Sequence, residues 1–327
     1  MRIVALEEHI VLRDFVSRIP AHTLASWGWP AELPRHLNHE ARLNDMGAGR
    51  LAAMDEAGIT VQVLSVTGGG ADLLSAHEAV DFARQYNDRM ARAVAEHPQR
   101  LHGFAHLPMT APQAAADELE RCVREHGFKG ALINGTTQGK FLDHPDFEPI
   151  LARAQLLDVP IYIHPNLPPR AVHDAYFTGL PEEAGFVLSI AGWGWHAETA
   201  LHVLRLVLSG ALERHRRLKL IVGHMGEGLP MMMARVDAVF TPITRAYLPR
   251  TVSQTLLDQL WITTAGFFSL PPFLAALLSF GADRILFSVD YPYGSNTVAR
   301  AFLDSLPVSA ADRQKIAHGN ADQLLHL

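Results

Sequence analysis

The chain has 327 residues, 48% hydrophobic and 19% charged, with a formal net charge of −6 and no basic run. That composition supports a large core, excludes a disordered chain and argues against a nucleic-acid partner. No stretch approaches the roughly 18 consecutive apolar residues of a membrane span, no signal-peptide pattern opens the sequence, and the single cysteine, Cys122, cannot form an internal disulfide, so a cytoplasmic protein without a membrane partner is expected.

The first predicted strand covers 3–9, Ile-Val-Ala-Leu-Glu-Glu-His. Side chains alternate along a strand, so Glu7 and His9 share a face and Glu8 points the other way. A long irregular stretch follows, about 10–46, with Pro20, Pro30, Pro34, Trp27 and Trp29 and no sustained period. Loops of this length tend to be functional, and here a lid or pocket wall is expected. Residues 50–58 read as a helix closed by Gly58. The next strand is 61–67, followed by Gly68-Gly69-Gly70. That run lacks the spacing of a phosphate cradle and reads as an active-site loop. A helix at 72–96, a strand at 101–108, a helix at 111–126, a strand at 130–135, a helix at 147–156 and a strand at 159–165 continue the alternation.

A second insertion, about 166–194, carries Pro168, Pro169, Pro181 and Trp193. Beyond it lie a helix at 196–214, a strand at 218–224, a helix at 228–240, and strands at 260–266 and 284–292, with helices closing the chain. Eight nearly continuous apolar strands, each followed by a helical segment, form one α/β unit over 1–327 with no linker. The pattern is that of a TIM (β/α)8 barrel with long insertions after strands 1 and 5. A doubly wound open sheet would show a glycine-rich phosphate turn after strand one, where Glu-Glu-His stands instead.

In such a barrel the C-terminal strand ends converge on one mouth. Those ends supply Glu7 and His9 from strand one, His164 from five, His224 from six and Asp290 from eight. Unpaired carboxylates and imidazoles at buried strand ends cost several kcal/mol. A divalent metal or a catalytic role compensates that cost. His224 is followed three residues later by Glu227, close enough to orient the imidazole if the chain turns at once. No Gly-x-Ser-x-Gly elbow is present, which disfavours a serine hydrolase. His106 reads as a core residue and Cys122 as a buried helix thiol. His22, His36, His39, His77, His97, His126, His173, His215 and His326 read as surface or capping residues. His196-Ala197-Glu198 resembles a ligand pair, but helical spacing splays the two side chains, so helix-start hydrogen bonding or substrate contact is expected.

Six segments carry a resemblance to the amidohydrolase superfamily, and within it to metal-dependent aromatic acid decarboxylases acting on 2,6- and 2,3-dihydroxybenzoate. They are Ala5-Leu6-Glu7-Glu8-His9, Ile163-His164-Pro165, Trp195-His196-Ala197-Glu198-Thr199, Gly223-His224-Met225-Gly226-Glu227, Thr263-Thr264-Ala265-Gly266 and Ser288-Val289-Asp290-Tyr291-Pro292. The opening is the most specific, since many hydrolases of the superfamily have His-x-His there. The resemblance implies one divalent ion, Zn²⁺ or Mn²⁺, held by Glu7, His9, His164 and Asp290. Strand four ends in Asn134-Gly135 and lacks a bridging lysine, in keeping with a mononuclear site.

It further implies non-oxidative decarboxylation of an ortho-hydroxy aromatic acid, with Asp290 as proton donor to the ring carbon and His224 and Glu227 assisting. Hydrolysis of an amide, ester or lactone is the alternative, with Asp290 as the base for an attacking water and His224 polarising a carbonyl. Arg235, Asn134 and Trp195 are candidate substrate contacts, Arg235 within the site or across a subunit contact. Trp193, Trp195 and Phe177 are candidate pocket walls, and a homodimer or homotetramer is implied.

Overall fold

The computed structural model describes residues 1–26, 28–29, 38–68 and 70–327. Trp27, Pro30, Pro34, His36 and Gly69, named above, lie outside the described residues. The wall begins with β1 (Val4–Ile10) and β2 (Val61–Val66). The third expected strand is split at Phe104 into β3 (Leu101–Gly103) and β4 (Ala105–His106). β5 (Ala131–Asn134), β6 (Ile161–His164), β7 (Leu220–Val222), β8 (Leu260–Thr263) and β9 (Ile285–Leu286) follow.

Neighbours pair in chain order, all parallel, as β1-β2-β3 and as β4 through β9. The two sheets are one wall, because Phe104 N donates to Leu64 O on one side of the split and Ala105 N to Gly130 O on the other. At the remaining junction Glu8 and Tyr291 form a parallel bridge, and His9 N lies 2.7 Å from Tyr291 O. The last expected strand is therefore shorter than its apolar run. Side chains replace the missing rungs: Ser288 Oγ accepts from Leu6 N at 3.1 Å and Glu7 N at 3.0 Å, and Glu8 Oε1 from Val289 N at 2.9 Å.

Alternation along the staves builds two apolar layers. Val4, Leu6, Val61, Val63, Phe104, Leu132, Tyr162, Ile221 and Leu286 fill the barrel interior, floored by Leu324 and Leu325 from the helix Asn320–Leu325. Ile161, Ile163, Leu220, Val222, Leu260 and Ile262 belong to the larger layer shared with the outer helices. The helix Ala76–Glu96 starts at Ser75, whose side chain accepts from Glu78 N, and the helix Pro112–His126 stops at Gly127 with φ +67°. Cys122 is buried on that helix and donates to Glu118 Oε1.

Three expectations are corrected. The first insertion, read as irregular, contains the short helices Arg13–Val16, Ala21–Ser26 and Glu40–Leu43, and the second contains Arg170–Tyr176 and Glu182–Ser189. An unanticipated helix, Val252–Gln259, precedes β8, announced by a capping box between Thr251 and Gln254. His215 is buried, with Nε2 2.6 Å from Glu148 Oε1. Among the described residues no helix is long and apolar enough to cross a membrane.

Candidate metal centre and active site

Strict alternation from Val4 would turn Glu7 outward beside Ala5. The register with β2 shifts between Ala5 and Glu8, and this bulge turns Glu7 into the barrel and Glu8 out of it. Glu7 and His9 then face the mouth together, as the alternation of 7, 8 and 9 requires. Both are fully buried.

Their lone pairs converge with those of His164. His164 Nδ1 lies 2.7 Å from Pro165 O and 3.0 Å from Asn134 Oδ1. A carbonyl can only accept, so Nδ1 carries the proton and Nε2 presents a lone pair. That Nε2 is 3.3 Å from Glu7 Oε1. His9 Nδ1 contacts Ser65 Oγ at 3.2 Å, and His9 Nε2 lies 3.7 Å from Glu7 Oε1 and 3.1 Å from Asp290 Oδ1. Glu7 Oε1 and His9 Nε2 are buried with no hydrogen-bond partner. Acceptor atoms held this close repel unless a proton or a metal cation lies among them. Donors about 2.1 Å from one ion stand roughly 3–3.7 Å apart. The residues present therefore fit a divalent ion.

The other Glu7 oxygen is held in place by hydroxyls. Tyr162, from inside the barrel, donates to Oε2, and Thr263 Oγ1 stands 3.1 Å from the Tyr162 hydroxyl. Burial pushes the Glu7 carboxyl up, but the neighbouring His224, His164 and His9 rings outweigh it and hold it well below the usual carboxylate range. Burial pulls His9 down, yet Asp290 and Glu7 raise it to about 9. For His224, burial is again outweighed, chiefly by Glu227 and Glu7, and the ring rises to about 10. The site thus carries surplus negative charge that stabilises any cation placed there.

His224 Nε2 lies 3.5 Å from Glu7 Oε1 and 4.0 Å from Asp290 Oδ2. Its Nδ1 is 2.6 Å from Glu227 Oε1. The expected turn after strand six occurs at once, with His224, Met225 and Glu227 all at φ between 52° and 56°. Asp290 has φ +69°. Left-handed non-glycine residues cost about 1–3 kcal/mol and cluster at functional sites.

Sequence reasoning did not place His196 opposite Glu227. Its Nδ1 is 2.6 Å from Glu227 Oε2, and its Nε2 is 3.1 Å from Ala191 O. The carboxylate is thus bracketed by two imidazoles, and the outer one is anchored to the second insertion. The signal was the histidine at the first turn of the helix Gly194–Leu208, but its partner lies 31 residues away. Tyr162 and Thr263 were also missed, being ordinary residues inside apolar strands.

Trp195 stands edge-on to His164 with centroids 6.0 Å apart, Phe267 packs against His224 and His196, and Tyr293 faces His9. Together they give the mouth an aromatic rim. Trp193 is 64% exposed and is not part of it. Phe177 packs against His173 and Tyr176. Asn134 uses both ends of its amide, accepting near His164 and donating to Val66 O at 3.2 Å. Arg235 is exposed on the helix Leu229–Thr244.

The sequence matches the family model described as Amidohydrolase over residues 20–327. The chain belongs to the amidohydrolase family. It is 37% identical to a gamma-resorcylate decarboxylase of a Polaromonas species, over 99% of this chain and 98% of that one. Among solved structures, a 2,6-dihydroxybenzoate decarboxylase complexed with 2,6-dihydroxybenzoate is 34% identical, covers 100% of both chains and superposes with a TM-score of 0.85. A 5-carboxyvanillate decarboxylase of Novosphingobium aromaticivorans, complexed with manganese and 4-hydroxy-3-methoxy-5-nitrobenzoic acid, is 31% identical, covers 100% of this chain and 96% of that one, and has a TM-score of 0.91. The amidohydrolase barrel and its aromatic acid decarboxylase branch are thereby assigned to this chain.

Proposed function

We propose that this amidohydrolase catalyses the metal-dependent, non-oxidative decarboxylation of an ortho-hydroxy aromatic carboxylic acid. The observation that carries the reading is the convergence of Glu7 Oε1, His9 Nε2 and His164 Nε2 on one buried point, with Asp290 Oδ1 3.1 Å from His9 at its edge. Glu7, His9, His164 and Asp290 would hold a divalent ion, Zn²⁺ or Mn²⁺. Such an ion supplies Lewis-acid stabilisation of the carboxylate and phenolic oxygens of the acid.

The chain's own residues do the rest. The rim of Trp195, Phe267 and Tyr293 takes a planar ring and keeps water from its faces. Asp290 is less buried than Glu7 or His9, its side chain 18% exposed, so it can present an oxygen to the ring carbon that bears the carboxylate. A proton passes from Asp290 to that carbon, the carbon–carbon bond breaks, its electron pair returns to the ring and carbon dioxide leaves. His224, within 4.0 Å of Asp290, returns a proton to it, while Glu227 and His196 hold the imidazole in orientation.

We further propose a homodimer. The helix Leu229–Thr244 presents Met231 at 80% and Ile243 at 66% exposure, and the packed neighbour Leu270–Phe280 presents Leu278 at 86%. A second copy of the chain would cover this face and bring the partner's surface over Arg235.

The deciding experiment follows carbon dioxide release from a panel of hydroxybenzoates by Mn²⁺- or Zn²⁺-loaded protein, beside matching esters, amides and lactones. Carbon dioxide that disappears on chelation and returns with metal is the expected result. Acid release from the esters or amides without carbon dioxide would overturn the reading and make Asp290 the base for an attacking water.

A further inference from the structure

The middle residue of Glu7-Glu8-His9 has no part in the chemistry above, yet it is completely buried. It points outward from the barrel wall, where an apolar side chain would be expected. Each of its oxygens accepts one hydrogen bond. Val289 N donates to Oε1 at 2.9 Å and Gln62 Nε2 donates to Oε2 at 3.1 Å. The Gln62 carbonyl oxygen accepts in turn from Arg50 Nη1 at 3.1 Å. Arg50 is fully buried as well. Its Nη2 donates to His9 O at 2.6 Å, its Nε donates to Asp45 O at 2.8 Å, and its guanidinium lies 4.9 Å from the centre of the Tyr291 ring.

The chain Glu8–Gln62–Arg50 therefore grips the backbone on both sides of the junction between β1 and β9. It holds the residue before Asp290 by its N–H, the residue after Asp290 by its ring, and His9 by its carbonyl. His9 and Asp290 are the two candidate ligands that meet across this junction, and Asp290 sits in the left-handed region at φ +69°. A strained residue keeps its conformation only where its surroundings over-determine it. Burying a carboxylate, an amide and a guanidinium behind the wall costs stability unless all are satisfied. Here every bond is directed, and the chain has no slack.

We propose that Glu8, Gln62 and Arg50 are positioning residues for the metal centre: they set the distance between His9 and Asp290 without touching ion or substrate. This rests on the ligand set proposed above. The direction of the hydrogen bonds supplies a specific test. In Glu8→Gln the new amide has one acceptor and one donor end, so either Val289 N–H or the Gln62 amide faces a donor and one bond is lost. In the swap Glu8→Gln with Gln62→Glu, the amide now at position 8 accepts from Val289 N and donates to the carboxylate now at position 62, which accepts from Arg50. All three links return with the same shape.

The experiment is Mn²⁺ binding to metal-free full-length protein, read by calorimetry and by the electron paramagnetic resonance of free ion, well below the unfolding temperature. Glu8→Gln is expected to raise the Mn²⁺ Kd by about 10- to 100-fold, as for other groups that orient ligands, and the swap to bring it back towards wild type. Wild-type affinity in folded Glu8→Gln, or a swap as weak as the single variant, would overturn the proposal. Where Glu8→Gln does not accumulate folded, Arg50→Lys carries the same test through the His9 carbonyl, and undiminished affinity in it has the same meaning. Wild type and Glu7→Gln are measured alongside. If wild type takes up no Mn²⁺, or Glu7→Gln binds as well as wild type, the ligand set itself fails and the positioning role falls with it. If those controls behave and the Glu8 and Arg50 variants bind normally, only the positioning role fails.

Discussion

Single atoms decide how this site divides its labour. In the function proposed above Asp290 both ligates the ion and delivers a proton, so Asp290→Asn should lose turnover by about 10³-fold or more and also weaken metal binding. His224 makes its strongest contact with Glu227 at 2.6 Å. His224→Asn should therefore retain the metal, measured by elemental analysis after gel filtration, while kcat falls about 10²-fold. Metal lost along with His224 would make it a ligand. Gly223 offers a sharper probe. Its φ of −78° suits any residue, but an alanine Cβ there would lie 2.5 Å from Glu7 Oε2 and 3.2 Å from the Tyr162 hydroxyl. Gly223→Ala should tilt the Glu7 carboxylate and raise the metal Kd by about 10- to 100-fold with the fold intact. Glu7, His9, His164, His224 and Asp290 were legible in the sequence because each breaks an apolar run where a strand ends. Tyr162 and Thr263 were not, because a tyrosine or threonine within such a run carries no sign of what it faces.

Elements carry a different kind of information. The staves were legible because buried parallel strands are continuous apolar runs. Their lengths were not, since β9 pairs over Ile285–Leu286 only and Ser288 and Glu8 side chains complete the wall. The helix Val252–Gln259 was missed although its Thr251–Gln254 capping box was in plain view. Two buried histidines hold loops to the scaffold. His202 Nε2 accepts from Leu142 N at 2.8 Å, and His106 Nε2 from Ala71 N at 2.9 Å. An accepting nitrogen has no proton, and burial pushes His202 down to about 3 and His106 to about 4. In the unfolded chain each titrates near 6.5. Between about pH 6.5 and 4 the unfolded state binds more protons, so stability falls as pH falls, by about 1.4 kcal/mol per pH unit for each ring. Urea unfolding of His202→Gln should show a slope between pH 6 and 5 flatter than wild type by about that amount; equal slopes would mean that His202 is charged in the fold.

At the scale of the whole molecule, the barrel's outer surface carries one question the interior does not answer. Met231, Ile243 and Leu278 are large apolar side chains left exposed on the helices Leu229–Thr244 and Leu270–Phe280. For the dimer proposed above, Leu278→Asp combined with Met231→Asp should leave the fold unchanged and yield monomers in sedimentation velocity. If Arg235 reaches a neighbouring site, KM should rise in the same variant while metal content stays constant. This face was invisible to sequence reading, because an exposed leucine at helical spacing looks like one that packs inward. The barrel itself, by contrast, was announced by eight repeats of strand and helix.

The junction between β1 and β9 has one last implication. At this junction one backbone bridge, Glu8 to Tyr291, and the side chains of Ser288 and Glu8 join the first strand to the last segment of the wall. The proposed ligands His9 and Asp290 straddle that same line. A bound cation would thus act as a clasp on a junction that is laced mostly by side chains. Local opening should begin there, and amide hydrogen exchange should report it: the His9 N–H, bonded to Tyr291 O, is expected to exchange faster after chelation than the Ile163 or Val222 amides. At about 1,000-fold excess over Kd, binding adds about 4 kcal/mol to the closed form. Loading the ion and shutting the barrel would then be one event, and a protein depleted of metal would breathe first at its own active site.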